Sequence, residues 1–241
     1  MIAKIRYLIA LAIPAPLKWW LVRKLPYAVT FAGKFFQGID PIWETDREFD
    51  TLFSQISSRV LMDRRRAFVL YNAARAVAGK DGDVVEMGVY QGGSARLLLH
   101  AAGADKAYYG FDTFGGLPDI KDDHDPFWEK GEMGETSLEE VTRFLDSPRA
   151  HLIKGIFPDS MVEMPAHPRF CLVHIDGDLY QTTSAALKCF YDRTISGGMI
   201  IINDYGFLSS PGVRAAVDEF FDNHPENPIY LPSGQCLVIR H

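Results

Sequence analysis

The sequence has few cysteines, no long uncharged run and no excess of basic residues, and each absence excludes a class of protein. The three cysteines, Cys171, Cys189 and Cys236, form no Cys-x-x-Cys pair, which argues against a zinc cluster or a disulfide framework. Unpaired thiols are typical of a reducing compartment, so we predict a cytoplasmic protein. The formal net charge of −6, without a long basic run, argues against nucleic acid as a partner.

The N-terminal region is apolar and basic, but it is too interrupted to span a bilayer. Its longest uncharged run, residues 7–17, has 11 residues, about half of the roughly 20 that a membrane-spanning helix needs. No clean small-x-small cleavage site follows this run. We predict a helical arm over residues 1–48 that packs on the domain or on a second subunit of a homo-oligomer. Peripheral contact with a membrane surface and a cleaved signal are the alternatives.

The remaining residues, 49–241, show the pattern of one α/β domain. With 47% hydrophobic residues, the chain is long enough to bury one sizeable core. Two helical patterns cover residues 49–78, and short apolar runs then alternate with longer helical patterns. This alternation predicts βαβ units and a mainly parallel sheet with helices on both faces. The predicted strands are 83–88, 107–112, 150–155, 170–176 and 198–204, followed by a terminal hairpin at the sheet edge.

The end of the first predicted strand carries a glycine turn, in the stretch VVEMGVYQGGSA (residues 84–95). Glycine permits close backbone approach to a ligand, and the following helix offers free N–H groups. The turn lacks the glycine spacing of a G-x-G-x-x-G dinucleotide site and the lysine of a P-loop. Asp112 ends the next strand, 26 residues after Glu86, where a carboxylate suits ribose hydroxyls. Two acids around such a turn favour S-adenosylmethionine, with its amino acid part near Gly88.

Two later strands also end in oxygen-bearing side chains. Asp176 and Asp178 follow the run FCLVHI, and Asn203 and Asp204 follow the run GMIII. If these strands are neighbours, Asp176, Asn203 and Asp204 converge at one edge of the sheet, where carboxylate and amide oxygens suit Mg²⁺. A cation there would lower the pKa of an acceptor hydroxyl, and Asp176 or Asp178 would serve as the general base. The alternative is that each Asp only caps a helix or turn.

Four stretches together resemble the macrocin O-methyltransferase family: VVEMGVYQGGSA, GFDTFGGLP, HIDGDLYQTTSAAL and SGGMIIINDYG. The resemblance implies a class I methyltransferase (Rossmann-like) fold with a seven-stranded sheet, a mobile lid and an oligomeric assembly. It implies transfer of a methyl group from S-adenosylmethionine, with Mg²⁺, to a sugar or phenolic hydroxyl of a small-molecule acceptor in secondary metabolism. The family usually has Asp-Asp-Tyr-Gly where this chain has Asn203-Asp204-Tyr205-Gly206, which predicts weaker metal binding.

The resemblance also supplies the predicted site residues. The cofactor-binding residues are Glu86, Gly88, Tyr90, Ser94, Asp112 and Asp178; the metal ligands are Asp176, Asn203 and Asp204, with Asp176 as the catalytic base; and Tyr180 and Tyr205 line the pocket.

Three further expectations concern other polar or aromatic segments. The loop 113–135 is long for a compact domain and is predicted to be a lid, in which Phe127 and Trp128 either stack on an acceptor ring or anchor a solvated loop. The run Arg64–Arg66 is predicted to be a solvated helix face, and His174 a hydrogen-bonded interior residue.

Two other functions stay open: a nicotinamide-dependent oxidoreductase, and a non-catalytic or membrane-associated binding module on the same sheet.

Overall fold

The computed structural model describes residues 42–120, 123–165 and 168–241. The chain divides into two compact units, Met1–Asp50 and Thr51–His241. Most of the predicted N-terminal arm, residues 1–41, lies outside the described residues. In the first unit the described part comprises the short helix α1 (Ile42–Thr45) and the start of α2 (Arg47–Ile56).

The second unit contains the alternation of strands and helices that the sequence predicts. The strands are β1 (Asp83–Met87), β2 (Tyr108–Asp112), β3 (Ala150–Lys154), β4 (Phe170–Ile175), β5 (Thr194–Ile202), β6 (Ile229–Tyr230) and β7 (Cys236–Ile239). The helices are α3 (Arg64–Val77), α4 (Gly93–Ala101), α5 (Leu138–Leu145), α6 (Tyr180–Phe190) and α7 (Pro211–Phe221), with short 3₁₀ turns at Asp159–Glu163 and Tyr191–Arg193.

Within the described residues, the strands form one seven-stranded sheet in the order β3-β2-β1-β4-β5-β7-β6. The first five strands pair in parallel, while β7 runs antiparallel to both β5 and β6. The predicted terminal hairpin at the sheet edge is therefore confirmed. The strand order reverses between β1 and β4, and such a reversal opens a crevice at the carboxyl ends of the strands.

Neighbouring residues of each strand point to opposite faces of the sheet, so both faces carry apolar side chains that helices cover. One face buries Val85, Phe111 and Val173 in a cluster with Leu187 of α6 and Val217 of α7. Near-continuous apolar strands are expected when both faces of a parallel sheet are covered. All six residues of β4 are buried, in agreement with this rule.

Local capping residues set where two helices begin. Asp63 precedes α3, and its side chain accepts hydrogen bonds from the backbone N–H groups of Arg65 and Arg66. Ser137 does the same for α5, because its side chain accepts a hydrogen bond from the backbone N–H of Glu140. Both caps satisfy N–H groups that a helix leaves without partners in its first turn.

None of the helices among the described residues is long and apolar enough to span a lipid bilayer.

Candidate active site

A cleft of about 290 Å³ lies at the carboxyl ends of the parallel strands. It is bordered by the segments that leave β1, β2, β4 and β5, and residues of the loop 113–135 contribute further to its wall. The position agrees with the rule that open α/β sheets bind ligands where their strand order reverses. Of the residues predicted to form the site, those lining the cleft are Gly88, Tyr90, Ser94, Asp112, Asp176, Asp178, Asn203 and Asp204.

The turn after β1 is held by Asp112 at the end of β2. The Oδ2 atom of Asp112 accepts hydrogen bonds from the backbone N–H groups of Val89 and Tyr90, both at 2.8 Å, and Oδ1 accepts from the N–H of Phe114 at 2.7 Å. A carboxylate has about four lone-pair positions, so these three bonds leave room for a further donor. Asp112 therefore shapes the glycine turn as well as facing the cleft.

Gly88 is required by contact with the protein itself. Its backbone has φ +89°, and a Cβ atom there would lie 1.9 Å from the carbonyl oxygen of Asp176. Any side chain would push β1 and the end of β4 apart. From the sequence we predicted that Gly88 lets the backbone approach a ligand closely. In the structure, Gly88 lets the end of β1 approach the end of β4 closely.

Glu86 does not line the cleft, although we predicted that it binds the cofactor. Glu86 precedes Met87 in β1, so its side chain points to the face of the sheet opposite to that of Met87. There it is fully buried. Its carboxylate accepts a hydrogen bond from the Tyr108 hydroxyl and lies 2.7 Å from Nδ1 of His174. The alternation of side chains along a strand accounts for this placement, because neighbouring strand residues project to opposite faces of the sheet. We therefore omit Glu86 from the proposed site.

His174 is an interior residue with a hydrogen bond, as predicted. Burial alone lowers the pKa of His174, but the hydrogen bond and charge of Glu86 outweigh burial and raise this pKa above its usual value. The pair brings a buried carboxylate and a buried imidazole together, which offsets the desolvation of each.

Three carboxylates meet at the edge of the cleft formed by β4 and β5. Asp176, Asp178 and Asp204 each present an oxygen, and these atoms all lie within 4.8 Å of one another. The two strands are neighbours in the sheet, which explains why acids 26 to 28 residues apart converge. The structure places Asp178, predicted as a cofactor contact, among these acids.

Burial and mutual repulsion alter the acidity of this group. Burial, followed by the charges of Asp176 and Asp204, raises the pKa of Asp178 well above its usual range. Burial and the charge of Asp176 also raise the pKa of Asp204, to about 6, although Arg66 opposes this change. Three carboxylates at this spacing do not all ionise easily without a cation.

Arg66 supplies one such positive charge. Its Nη1 atom donates to Oδ1 of Asp204 at 2.9 Å, its Nη2 donates to the carbonyl of Leu61 at 3.1 Å, and its guanidinium lies over the ring of Phe207. The prediction of a solvated face for the three arginines is therefore wrong for Arg66, which is only 8% exposed. One sequence signal was available, since Arg66 precedes the buried Leu70 by one helical turn.

Asn203 lies beside the three acids with one half of its amide unsatisfied. Its Nδ2 group donates to Oδ1 of Asp176 at 2.7 Å and to Oδ2 of Asp204 at 3.4 Å, while its Oδ1 atom is buried and has no hydrogen-bond partner. Turning the amide over would direct that oxygen at the acids, an arrangement that a cation would favour.

At four strand ends beside the cleft, a residue other than glycine adopts the left-handed backbone conformation. These residues are Tyr90 (φ 50°), Phe114 (φ 46°), Asp178 (φ 58°) and Asp204 (φ 55°). Such conformations are uncommon outside glycine and cluster at functional sites. Two of them belong to the acid group, so the backbone itself directs those carboxylates.

Two tyrosines that we predicted to line the pocket lie elsewhere. The Tyr180 hydroxyl donates to Glu219 at 2.6 Å, and the Tyr205 hydroxyl donates to Asp218 at 2.7 Å. These bonds attach the start of α6 and the segment after β5 to α7, so both hydroxyls have partners within the protein. In the loop that is predicted to be a lid, Trp128 lines the cleft, whereas Phe127 is 65% exposed.

Comparison with known proteins agrees with this geometry. The family model described as Macrocin-O-methyltransferase matches residues 55–230. Mycinamicin III 3''-O-methyltransferase of Micromonospora griseorubida is 34% identical over 164 residues, which cover 61% of this chain and 63% of that protein. A second relative is the 8-demethyl-8-(2,3-dimethoxy-alpha-L-rhamnosyl)-tetracenomycin-C 4'-O-methyltransferase of Streptomyces olivaceus. It is 30% identical over a region that covers 68% of this chain and 67% of that protein.

A solved structure supports the same assignment. The O-methyltransferase NovP superimposes with a TM-score of 0.67 and 25% sequence identity, covering 76% of this chain and 82% of that chain. The region matched to the mycinamicin relative covers 63% of that protein, so the chain spans slightly less than two thirds of its length. Its sheet order is that of the class I methyltransferase fold predicted from the sequence. Since the family model covers most of the sequence, this chain belongs to the macrocin O-methyltransferase family.

Proposed function

We propose that this protein is an O-methyltransferase that moves a methyl group from S-adenosylmethionine to a hydroxyl of a small molecule. The observation that carries the proposal is the single cleft that joins the Gly88–Asp112 turn to the acids Asp176, Asp178 and Asp204. A cofactor and an acceptor hydroxyl must meet for methyl transfer, and this cleft holds groups suited to both. The names of the relatives point to a sugar or phenolic hydroxyl of a secondary metabolite as the acceptor.

The cofactor end of the cleft is proposed at the turn between β1 and α4. Asp112 retains a lone-pair position that suits a ribose hydroxyl, and the first turn of α4 offers backbone N–H groups near the buried Ser94. Gly88 and Tyr90 line the same cleft. S-adenosylmethionine bound at this end would supply the methyl group for transfer to an acceptor in the same cleft.

The acid group fits a divalent cation. Three carboxylates lie close enough to share one ion, and the orphaned Oδ1 of Asn203 would provide a fourth oxygen without charge once its amide is turned over. Oxygen-only ligand sets suit Mg²⁺. Asp176, Asp204 and Asn203 would hold the ion, and a bound cation would lower the pKa of the acceptor hydroxyl.

The chemical step needs a base and close alignment. Transfer forms a bond between the acceptor oxygen and the methyl carbon and breaks the bond from that carbon to sulfur. The hydroxyl proton must pass to a base, and Asp176 is proposed for this role because it faces the cleft beside the other acids. Arg66 holds Asp204 in place through its hydrogen bond to Oδ1.

Two titrations test the proposal against the nicotinamide alternative. We expect S-adenosylhomocysteine to bind the purified protein in calorimetry, and NADH not to bind. The second stage follows transfer of a labelled methyl group from S-adenosylmethionine to a panel of glycosylated and phenolic acceptors that includes mycinamicin III. Binding of NADH without S-adenosylhomocysteine would overturn the proposal, and binding without transfer to any acceptor would favour the binding-module alternative.

Changing Asn203 to Asp tests the metal end of the cleft. The variant adds a negative charge beside Asp176 and Asp204, so we expect Mg²⁺ affinity to rise roughly tenfold, as measured by calorimetry without acceptor. Without Mg²⁺ the melting temperature should fall, because the added charge increases repulsion. The matched control is Asn72→Asp on the exposed face of α3. A large loss of Mg²⁺ affinity in the Asn203 variant would remove this residue from the ligand set.

A further inference from the structure

One carboxylate in the lid is buried although its neighbours are not. Asp125 is 2% exposed, whereas Asp123, His124, Pro126 and Phe127 are all exposed. Aspartate is rarely buried unless it has partners. A buried carboxylate in the middle of a long polar loop therefore indicates a specific attachment of that loop to the domain.

The attachment is the N-terminus of α6. The Oδ2 atom of Asp125 accepts a hydrogen bond of 2.9 Å from the backbone N–H of Tyr180, the first residue of that helix. The residue before the helix, Leu179, has no side chain that caps it. The lid thus supplies the cap from 55 positions away in the chain, and the helix dipole favours the negative charge there.

A glycine in α7 makes room for the same carboxylate. A Cβ atom on Gly212 would lie 2.1 Å from Oδ1 of Asp125 and 2.9 Å from Cβ of Tyr180. Gly212 is the second residue of α7 and has no left-handed backbone conformation that would require glycine. Its lack of a side chain is explained by the approach of Asp125. The ring of His124 adds a stacking contact on Tyr180, with centroids 4.5 Å apart.

Three residues further along, the lid presents Trp128 to the cleft. Its indole N–H donates to Oγ of Ser210 at 3.3 Å, and Ser210 is buried immediately before α7. Ser210 ends the segment that leaves β5 with Asp204. Asp125 and Trp128 therefore contact the same part of the domain, around the starts of α6 and α7.

We propose that Asp125 is a positioning residue: it latches the lid to the starts of α6 and α7 and so sets Trp128 as the wall of the cleft beside the acid group. In the methyl transfer proposed above, on which this role rests, Trp128 is one of the lid residues that meet the acceptor. The latch itself is a property of the protein without ligands, so it can be tested separately from the reaction.

Trypsin cleavage after Lys130, an exposed lid residue, measures opening of the latch. We expect Asp125→Ala to be cleaved there roughly tenfold faster than the wild type, the size of effect expected for loss of a helix cap. Gly212→Ala should open the lid by displacing an intact Asp125, even though alanine favours helix more than glycine does. Asp125→Asn keeps an oxygen that can accept from Tyr180 and should restore most of the protection. Asp123→Ala, at an exposed neighbour, is the matched control.

A second measurement distinguishes positioning from general destabilisation. The emission of Trp128, taken as the difference between each protein and its Trp128→Phe version, should become more accessible to acrylamide in Asp125→Ala and Gly212→Ala only. The proposal is overturned if these two variants match the wild type in cleavage and quenching, if Asp123→Ala opens the lid equally, or if Asp125→Asn gives no protection. Because neither readout requires methyl transfer, failure of the proposed function would leave both results interpretable.

Discussion

Replacing Asp176 with alanine is expected to lower the turnover number for methyl transfer about 10³-fold, the range observed when a general base is removed. Asp176 leaves β4 at the reversal of strand order and lies among the acids at the cleft. Its removal takes away the proposed proton acceptor and one oxygen of the cation site together. The loss should therefore appear in turnover with the acceptor identified by the panel, and Mg²⁺ binding measured by calorimetry should weaken in parallel.

Affinity for S-adenosylhomocysteine separates the two ends of the cleft in the same variant. The proposed cofactor contacts belong to the turn after β1 and to Asp112, so this affinity should stay close to that of the wild type. Asp81→Ala, at an exposed position before β1, provides the matched control for loss of one carboxylate. Turnover near the wild-type value in Asp176→Ala would remove this residue from the base role, and an equal loss of cofactor binding would show that the two ends are not separate.

Replacing Gly88 with alanine is expected to destabilise the fold by roughly 2–5 kcal/mol, the sum of about 1–2 for left-handed backbone and about 1–3 for overpacking. The methyl group would lie 1.9 Å from the carbonyl oxygen of Asp176, so the ends of β1 and β4 must separate. Chemical denaturation measures the change in the free energy of unfolding. Binding of S-adenosylhomocysteine should be lost as well, because the same shift moves the turn that Asp112 holds.

Gly79 offers the matched control for this substitution. A Cβ atom there meets nothing within 4 Å, and its φ lies outside the left-handed region, so Gly79→Ala should leave stability unchanged or slightly raised. If Gly88→Ala unfolds at the same denaturant concentration as Gly79→Ala, the strand contact is softer than the structure indicates. If it is destabilised but binds the cofactor product normally, the turn does not transmit the shift.

Much of the architecture was accessible from the sequence because it depends on local patterns. Apolar runs such as that of β4 are followed by helical spacing, and this alternation alone predicts a covered parallel sheet. The N-cap of α5 at Ser137 is likewise a local feature, since an N-cap acts within a few residues of itself. Convergence of Asp176 and Asp204 followed once their strands were taken as neighbours.

The errors concern contacts between segments that are distant in the chain. Glu86 carries the residue type of a cofactor ligand, but the face of its strand directs it to His174 and Tyr108. Arg66 belongs to a run typical of a solvated surface, yet the fold brings it to Asp204, 138 positions later. Neither partner could be identified from spacing along the chain.

The sequence by itself determined the family, the order of strands and helices, and the strand ends at which polar groups collect, because periodicity, glycine turns and motifs are local. Only the tertiary structure decided which of those groups share the cleft, that Asp178 joins the acids, and that Asp125 of the lid caps α6. The physical reason is that side-chain direction and partnership depend on strand face and on packing between segments, and both are fixed only when the sheet and its helices assemble.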